Sequence, residues 1–104
     1  MIHPDLSVIT VTYCSEKHID TLIRSVRNGC SKISCEHILI DNASSDRTVE
    51  LIQSYGSAVV CVANAKNLGF SAANLLGYQQ AKGRYVLFLN PDMEVEENSL
   101  DSMV

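Results

Sequence analysis

Two hydrophobic periods alternate along this chain, and the switches between them mark out its elements. Leu6 to Tyr13 (LSVITVTY) is rich in β-branched residues and predicts a strand. A polar turn follows at Cys14-Ser15-Glu16. Ile19, Leu22, Ile23 and Val26 then recur at helical spacing, and Gly29 can end that helix. Glu36 to Ile40 (EHILI) predicts a second strand, which stops at the polar cluster Asp41 to Asp46. Ser45 or Asp46 can cap a short helix running to about Ser54. Ala58 to Val62 predicts a third strand, Ser71 to Ala81 a helix of mostly small residues closed by Gly83, and Arg84 to Leu89 a fourth strand. Glu97 to Val104 reads as the beginning of another helix.

Short, nearly continuous apolar runs predict strands covered on both faces. With helices between them, the connections are right-handed crossovers in a parallel sheet, an α/β doubly wound fold. No repeat, linker or low-complexity segment interrupts the chain, so residues 1–104 read as one unit. A doubly wound sheet that stops after a fourth strand leaves an edge uncovered, which predicts a missing remainder.

Composition narrows the function. The net charge is -4, and five acids (Asp92, Glu94, Glu96, Glu97, Asp101) crowd the last thirteen residues. That balance argues against a nucleic-acid partner, which calls for a basic patch. No run is apolar enough to cross a membrane, and no signal peptide is visible. Cys14, Cys30, Cys35 and Cys61 form no CxxC pair and are not grouped with histidines. Reduced thiols in the cytoplasm are therefore the expectation, rather than a disulfide framework or a zinc site.

Ligands of open parallel sheets bind beyond the carboxyl ends of the strands. Those ends here are Thr12-Tyr13-Cys14, Asp41-Asn42, Asn64 to Asn67, and Asn90-Pro91-Asp92. Asp41 fits a ligand contact and a turn or cap equally well. Asp92 favours function, because it follows an apolar strand so closely. Gly69 leads into a helix of small residues, where free amides could hold an oxyanion or the alanines could simply allow close packing. Neither GxGxxG nor GxxxxGK[ST] occurs, so no dinucleotide fingerprint or P-loop is present. Cys14 and His18 could form a nucleophilic pair, but the reading favours surface positions, and His37 alternates within a strand.

Five segments together resemble the family-2 type of GT-A glycosyltransferases, especially its rhamnosyltransferase-like members. They are Val8 to Tyr13, the helix containing Leu22 and Ser25, Ile40 to Asp46 (IDNASSD), Asn67-Leu68-Gly69-Phe70, and Leu87 to Asp92 (LFLNPD). The resemblance implies a partial GT-A, Rossmann-like sheet in the order 3-2-1-4. It implies inverting transfer from a UDP- or dTDP-sugar to a hydroxyl of a glycan or lipid-linked acceptor in a full-length enzyme, in cell wall or polysaccharide biosynthesis. The location implied is the cytoplasm or the cytosolic face of the membrane.

By the same resemblance Thr12 and Tyr13 approach the nucleotide, Asp41 accepts a hydrogen bond from the base, and Asp46 caps a helix. Lys66, Asn67 and Gly69 flank the nucleotide pocket. Asn90 lies near the ribose, and Asp92 binds Mg²⁺ or Mn²⁺ together with the diphosphate. Cys14 and Leu75 depart from the family pattern, each where asparagine is common. The acceptor-binding half and its general base have no counterpart in these residues, so the chain alone is expected to be inactive. A non-catalytic α/β binding or regulatory domain is the alternative. A phosphate-accepting receiver is disfavoured, since Thr12 to Ser15 supplies no acidic pair.

Overall fold

The computed structural model describes residues 3–104. Its elements are β1 (Leu6–Thr12), α1 (Ile19–Gly29), β2 (Cys35–Asp41), α2 (Thr48–Gln53), β3 (Val60–Ala63), α3 (Phe70–Gln80) and β4 (Tyr85–Phe88). The four strands form one parallel sheet in the order β3-β2-β1-β4, as expected. Thr12 is in register with Asp41, and Asp41 with Ala63, so the carboxyl ends of three strands lie level.

Strand alternation divides the core between the two faces. Leu6, Val8 and Leu39 pack with Leu22, Ile23 and Val26 of α1 and Ile52 of α2. Ile9, Val11, Ile38 and Ile40 pack on the other face with Ala73 of α3. Each fully buried leucine, isoleucine or valine among them stabilises the fold by about 1.5–3 kcal/mol relative to exposure. On the α3 face, a Cβ added to Gly77 would lie 2.4 Å from Ile9 Cγ2. The small residues of α3 therefore let its backbone approach the sheet closely.

Only the two central strands are covered on both faces. At the edges Val60, Tyr85 and Phe88 are substantially exposed, because an edge strand has one neighbour and less helix above it. The C-terminal segment also differs from expectation. It forms turns and a 3₁₀ turn at Asp101–Met103, with no α-helix. Its backbone instead serves the end of α1, where Asn98 N and Leu100 N donate to the carbonyls of Asn28 and Gly29 at 3.0 Å each. The Asp101 carboxylate accepts from Ser31 Oγ and from the amides of Lys32 and Ile33.

The expectation of four reduced thiols also needs correction. Cys30 and Cys35 form a disulfide, with Cα atoms 6.4 Å apart, while Cys14 and Cys61 are free. The spacing is not that of a CxxC pair. The short link from the end of α1 to the start of β2 nevertheless brings the two side chains together.

Candidate functional site

The site begins where the parallel ladder runs out. Asn42 N donates to Thr12 O and Asn64 N to Asp41 O, both at 2.9 Å, which ties the loops after β1, β2 and β3 to one edge. Two tight bends follow. Cys14 (φ 48°) and Ala43 (φ 62°) adopt left-handed backbone, and Cys14 N donates to Ser44 Oγ at 2.7 Å. Asp46 does not occupy the N-cap of α2, which is Arg47 with no side-chain cap bond; it lies one residue earlier, and its carboxylate accepts from Thr48 N at 3.0 Å in a local turn. Its hydrogen bonds, chiefly from the Thr48 side chain, hold its carboxyl below the usual range.

Alternation now decides which side chains face a ligand. Thr12 and Asp41 point to the α1/α2 side, like Val8, Thr10 and Leu39. Tyr13 and Asn42 point to the α3 side, like Val11 and Ile40. A cleft of about 390 Å³ opens on that second side, within the usual size of ligand sites. Tyr13, Asn42, Asn67, Gly69, Phe70 and Pro91 help to line it.

Of the residues singled out above, Tyr13, Asn67 and Gly69 therefore meet in one cleft. Thr12 and Asp41 do not line it; their side chains are fully buried on the α1/α2 side of the strand ends. Asp41 Oδ1 accepts from Thr12 Oγ1 at 2.7 Å and Ser44 Oγ at 2.6 Å, and Oδ2 accepts from Ser44 N at 2.8 Å. In this arrangement the carboxylate is a structural acceptor for both strand-end loops, and one lone-pair position on Oδ2 is unspent. Lys66, Asn90 and Asp92 are exposed around the same edge and do not line the cleft.

Asn42 is the residue that sequence reading passed over. Its Nδ2 donates to Gly69 O at 3.0 Å, and its Oδ1 accepts from Asn64 Nδ2 and Leu68 N at 3.2 Å each. One buried carboxamide thus fastens the end of β2 to the loop before α3. Gly69 has φ 85°, which explains glycine there, and its amide donates to Asn67 Oδ1 at 2.8 Å. The period-2 rule applied one residue past Asp41 would have picked out Asn42.

For a divalent cation, the donor set fits one protein carboxylate. Asp92 is exposed and takes no part in the side-chain hydrogen bonds or the ion pair of the described residues. No group of three or more His, Cys, Asp or Glu residues among them could hold a metal by itself. Glu94, Glu96 and Glu97 instead flank a separate hollow beside Arg24, Ser25 and Asn28 of α1. No helix among the described residues is long and apolar enough to cross a membrane.

Comparison with known proteins agrees with this fold. Residues 7–104 match the family model described as glycosyl transferase family 2. The undecaprenyl-phosphate 4-deoxy-4-formamido-L-arabinose transferase of Pseudomonas aeruginosa is 32% identical over 105 residues, which cover 95% of this chain and 31% of that protein. The crystal structure of residues 1–349 of TarS from S. aureus in complex with UDP superposes with a TM-score of 0.85 at 26% identity, covering 95% of this chain and 30% of that one. A mannosyltransferase from Pyrobaculum calidifontis, in complex with GDP-Man and Mn²⁺, shares the fold at a TM-score of 0.77 and 20% identity, over 88% of this chain and 28% of its own. The chain spans about a third of the length of the curated relatives it matches.

Proposed function

The chain belongs to glycosyl transferase family 2, and from that premise we propose that residues 1–104 are the nucleotide-sugar-binding part of an inverting, metal-dependent glycosyltransferase. The donor is a UDP- or dTDP-sugar, and the acceptor a hydroxyl of a glycan or lipid-linked molecule engaged by the full-length enzyme. TarS supports the donor class, since it was solved with UDP. The P. aeruginosa relative, an undecaprenyl-phosphate 4-deoxy-4-formamido-L-arabinose transferase, supports a lipid-linked acceptor, and a place at the cytosolic face of the membrane is part of the same proposal.

One observation carries the reading. The Asp92 carboxylate, without a side-chain partner among the described residues, follows Pro91, and Pro91 is itself a wall of the cleft that Tyr13, Asn67 and Gly69 line. In the proposed complex the nucleoside lies in this cleft. Tyr13 and Asn67 flank it, and its base reaches over the strand ends to the α1/α2 side, where Thr12 lies beside Asp41 and the unspent position on Asp41 Oδ2 is the acceptor for a base N–H once the bends at Cys14 and Ala43 open. Lys66 and Asn90 approach the diphosphate and ribose from the exposed edge. Asp92 is the protein ligand for Mg²⁺ or Mn²⁺. A divalent ion there would stabilise the charge that grows on the departing diphosphate.

Calorimetry with UDP and dTDP, each with and without manganese, tests this. Saturable binding of at least one nucleotide, strengthened by manganese, is expected. No heat with either nucleotide under both conditions would overturn the proposal.

A further inference from the structure

Toward the amino ends of the strands, away from the nucleotide cleft, a second cavity of about 220 Å³ opens between α1 and the segment that enters β3. Ile23 and Val26 form one wall, and Ala58 and Val59 the other. Cys30 and Cys35 also line it, so the disulfide borders the cavity. His37 faces it from β2 and is only 5% exposed. Its Nε2 lies 3.0 Å from Thr10 Oγ1, while Nδ1 has no hydrogen-bond partner among the described residues. A buried nitrogen left unpaired is costly, so a partner from outside the protein gains by supplying the bond.

The chemistry of that partner follows from the walls. Apart from His37, the one charged side chain is Arg27, which is exposed and extends toward the Tyr55 ring, its guanidinium carbon 6.0 Å from the ring centroid. Ile23, Val26, Ala58, Val59 and the disulfide give apolar surface beside the polar surface around His37 and Arg27, which suits a molecule with an apolar body and a polar end; a cavity of roughly 150 Å³ already holds benzene. Depending on its tautomer, Nδ1 is either a donor or an acceptor. A hydroxyl satisfies it in both cases. Burial pushes the imidazole down to about 4, so it is neutral near pH 7 and offers no charge to an anion.

We propose that this cavity is a binding site for a small uncharged molecule that joins an apolar body to one hydroxyl group, an alcohol or phenol, bonded to His37 Nδ1. The site is separate from the nucleotide cleft and does not depend on the reading given for it.

The test is an NMR titration of the isotopically labelled chain with phenol and, separately, with toluene, which has similar bulk and no hydroxyl. Phenol is expected to saturate, to shift the methyl resonances of Ile23, Val26 and Val59, and to move the His37 Nδ1 nitrogen resonance. It should bind about tenfold more tightly than toluene, the effect of one retained hydrogen bond. His37→Leu should erase that preference. Ala58→Leu, at an exposed rim position, should block both probes while leaving His37 in place, and it decides the matter if His37→Leu fails to fold. Absence of methyl shifts with phenol, equal affinity for the two probes, or a long-lived water on His37 that phenol does not displace would overturn the proposal.

Discussion

Asn42 Nδ2 donates to the carbonyl oxygen of Gly69, 3.0 Å away, and so joins the end of β2 to the residue that opens α3. The same carboxamide accepts from Leu68 N. Both contacts hold the loop that forms one wall of the cleft. Asn42→Ala should free residues 67–70 and weaken UDP binding. Its stability cost should be about 1–3 kcal/mol, the usual penalty for stranding buried polar groups. Hydrogen exchange at Leu68, read beside UDP calorimetry, checks this. Unchanged exchange at Leu68 would refute the clamp.

Asp41 is a buried structural anchor as well as the proposed contact to the base. It is fully buried and accepts from Thr12 and from both donors of Ser44. Asp41→Ala removes all three bonds and leaves a small void. A loss of about 2–3 kcal/mol in urea denaturation is expected, together with weaker UDP binding. Wild-type stability in this variant would contradict the hydrogen-bond network. Wild-type UDP affinity would remove Asp41 from the base site.

Gly77→Ala tests the packing that holds α3 on the sheet. The added methyl would lie 2.4 Å from Ile9 Cγ2, and Ile9 is fully buried, with little room to yield. Overpacking of this kind costs about 1–3 kcal/mol, more than the helix propensity of alanine returns. Thermal denaturation followed by circular dichroism gives the sign. A stabilised variant would mean that α3 can lift from the sheet.

Much of this fold can be read from the sequence, because its two periods are clean. Ile19, Leu22, Ile23 and Val26 mark the α1 stripe, and the β1 and β2 runs mark strands covered on both sides. The order 3-2-1-4 came with the family resemblance. Three features were hidden, each for a stated reason. Edge exposure of Tyr85 and Phe88 depends on which strands have neighbours. The Cys30–Cys35 pair depends on the path of the link between α1 and β2. The C-terminal segment is held by its backbone donors to α1 and by Asp101, contacts that no periodicity records. In the site, residue types at the strand ends were informative, but their facing was not drawn out. Residue type alone does not reveal that Asn42 presents its carboxamide on the cleft side and clamps the loop before α3, while Asp41 is buried on the other side.

His37 should make stability fall with acid. Burial lowers its folded-state pKa from 6.5 to about 4. Between those values the unfolded chain binds a proton that the folded chain refuses. The contribution is therefore fully present above about pH 6.5 and is lost as pH falls toward 4, at up to about 1.4 kcal/mol per pH unit. Asp46 and Asp101, whose carboxyls are also held low, lose stability in acid too, so the measurement must be a difference. Urea denaturation of wild type and His37→Gln from pH 7.5 to 4.5 supplies it. The wild type should lose ground to the variant as pH drops below 6.5. Parallel curves would show that His37 does not titrate in this way.

Metal binding at Asp92 should require the nucleotide. Pro91 fixes its own φ and biases Asn90 toward extended backbone, so Asp92 leaves the end of β4 at a defined point. Asn90 brings no charge, and Glu94, Glu96 and Glu97 flank the hollow beside α1 instead. The protein thus offers one carboxylate where a hard divalent ion wants about six oxygens. Alone it should hold Mn²⁺ only weakly, and the diphosphate oxygens of UDP should complete the shell. Asp92→Asn keeps the size of the side chain and removes its charge. Because Asp92 is exposed and makes no side-chain hydrogen bond among the described residues, the change should leave stability within about 0.5 kcal/mol. Electron paramagnetic resonance of manganese, titrated into both proteins with and without UDP, separates the possibilities. Wild type with UDP should bind manganese at least about tenfold more tightly than either wild type alone or Asp92→Asn with UDP, a coupling of about 1.4 kcal/mol. Tight binding without nucleotide would place the ion in a site made wholly by protein. Equal binding by the two proteins with UDP present would mean that the ion is held by the diphosphate and some other group.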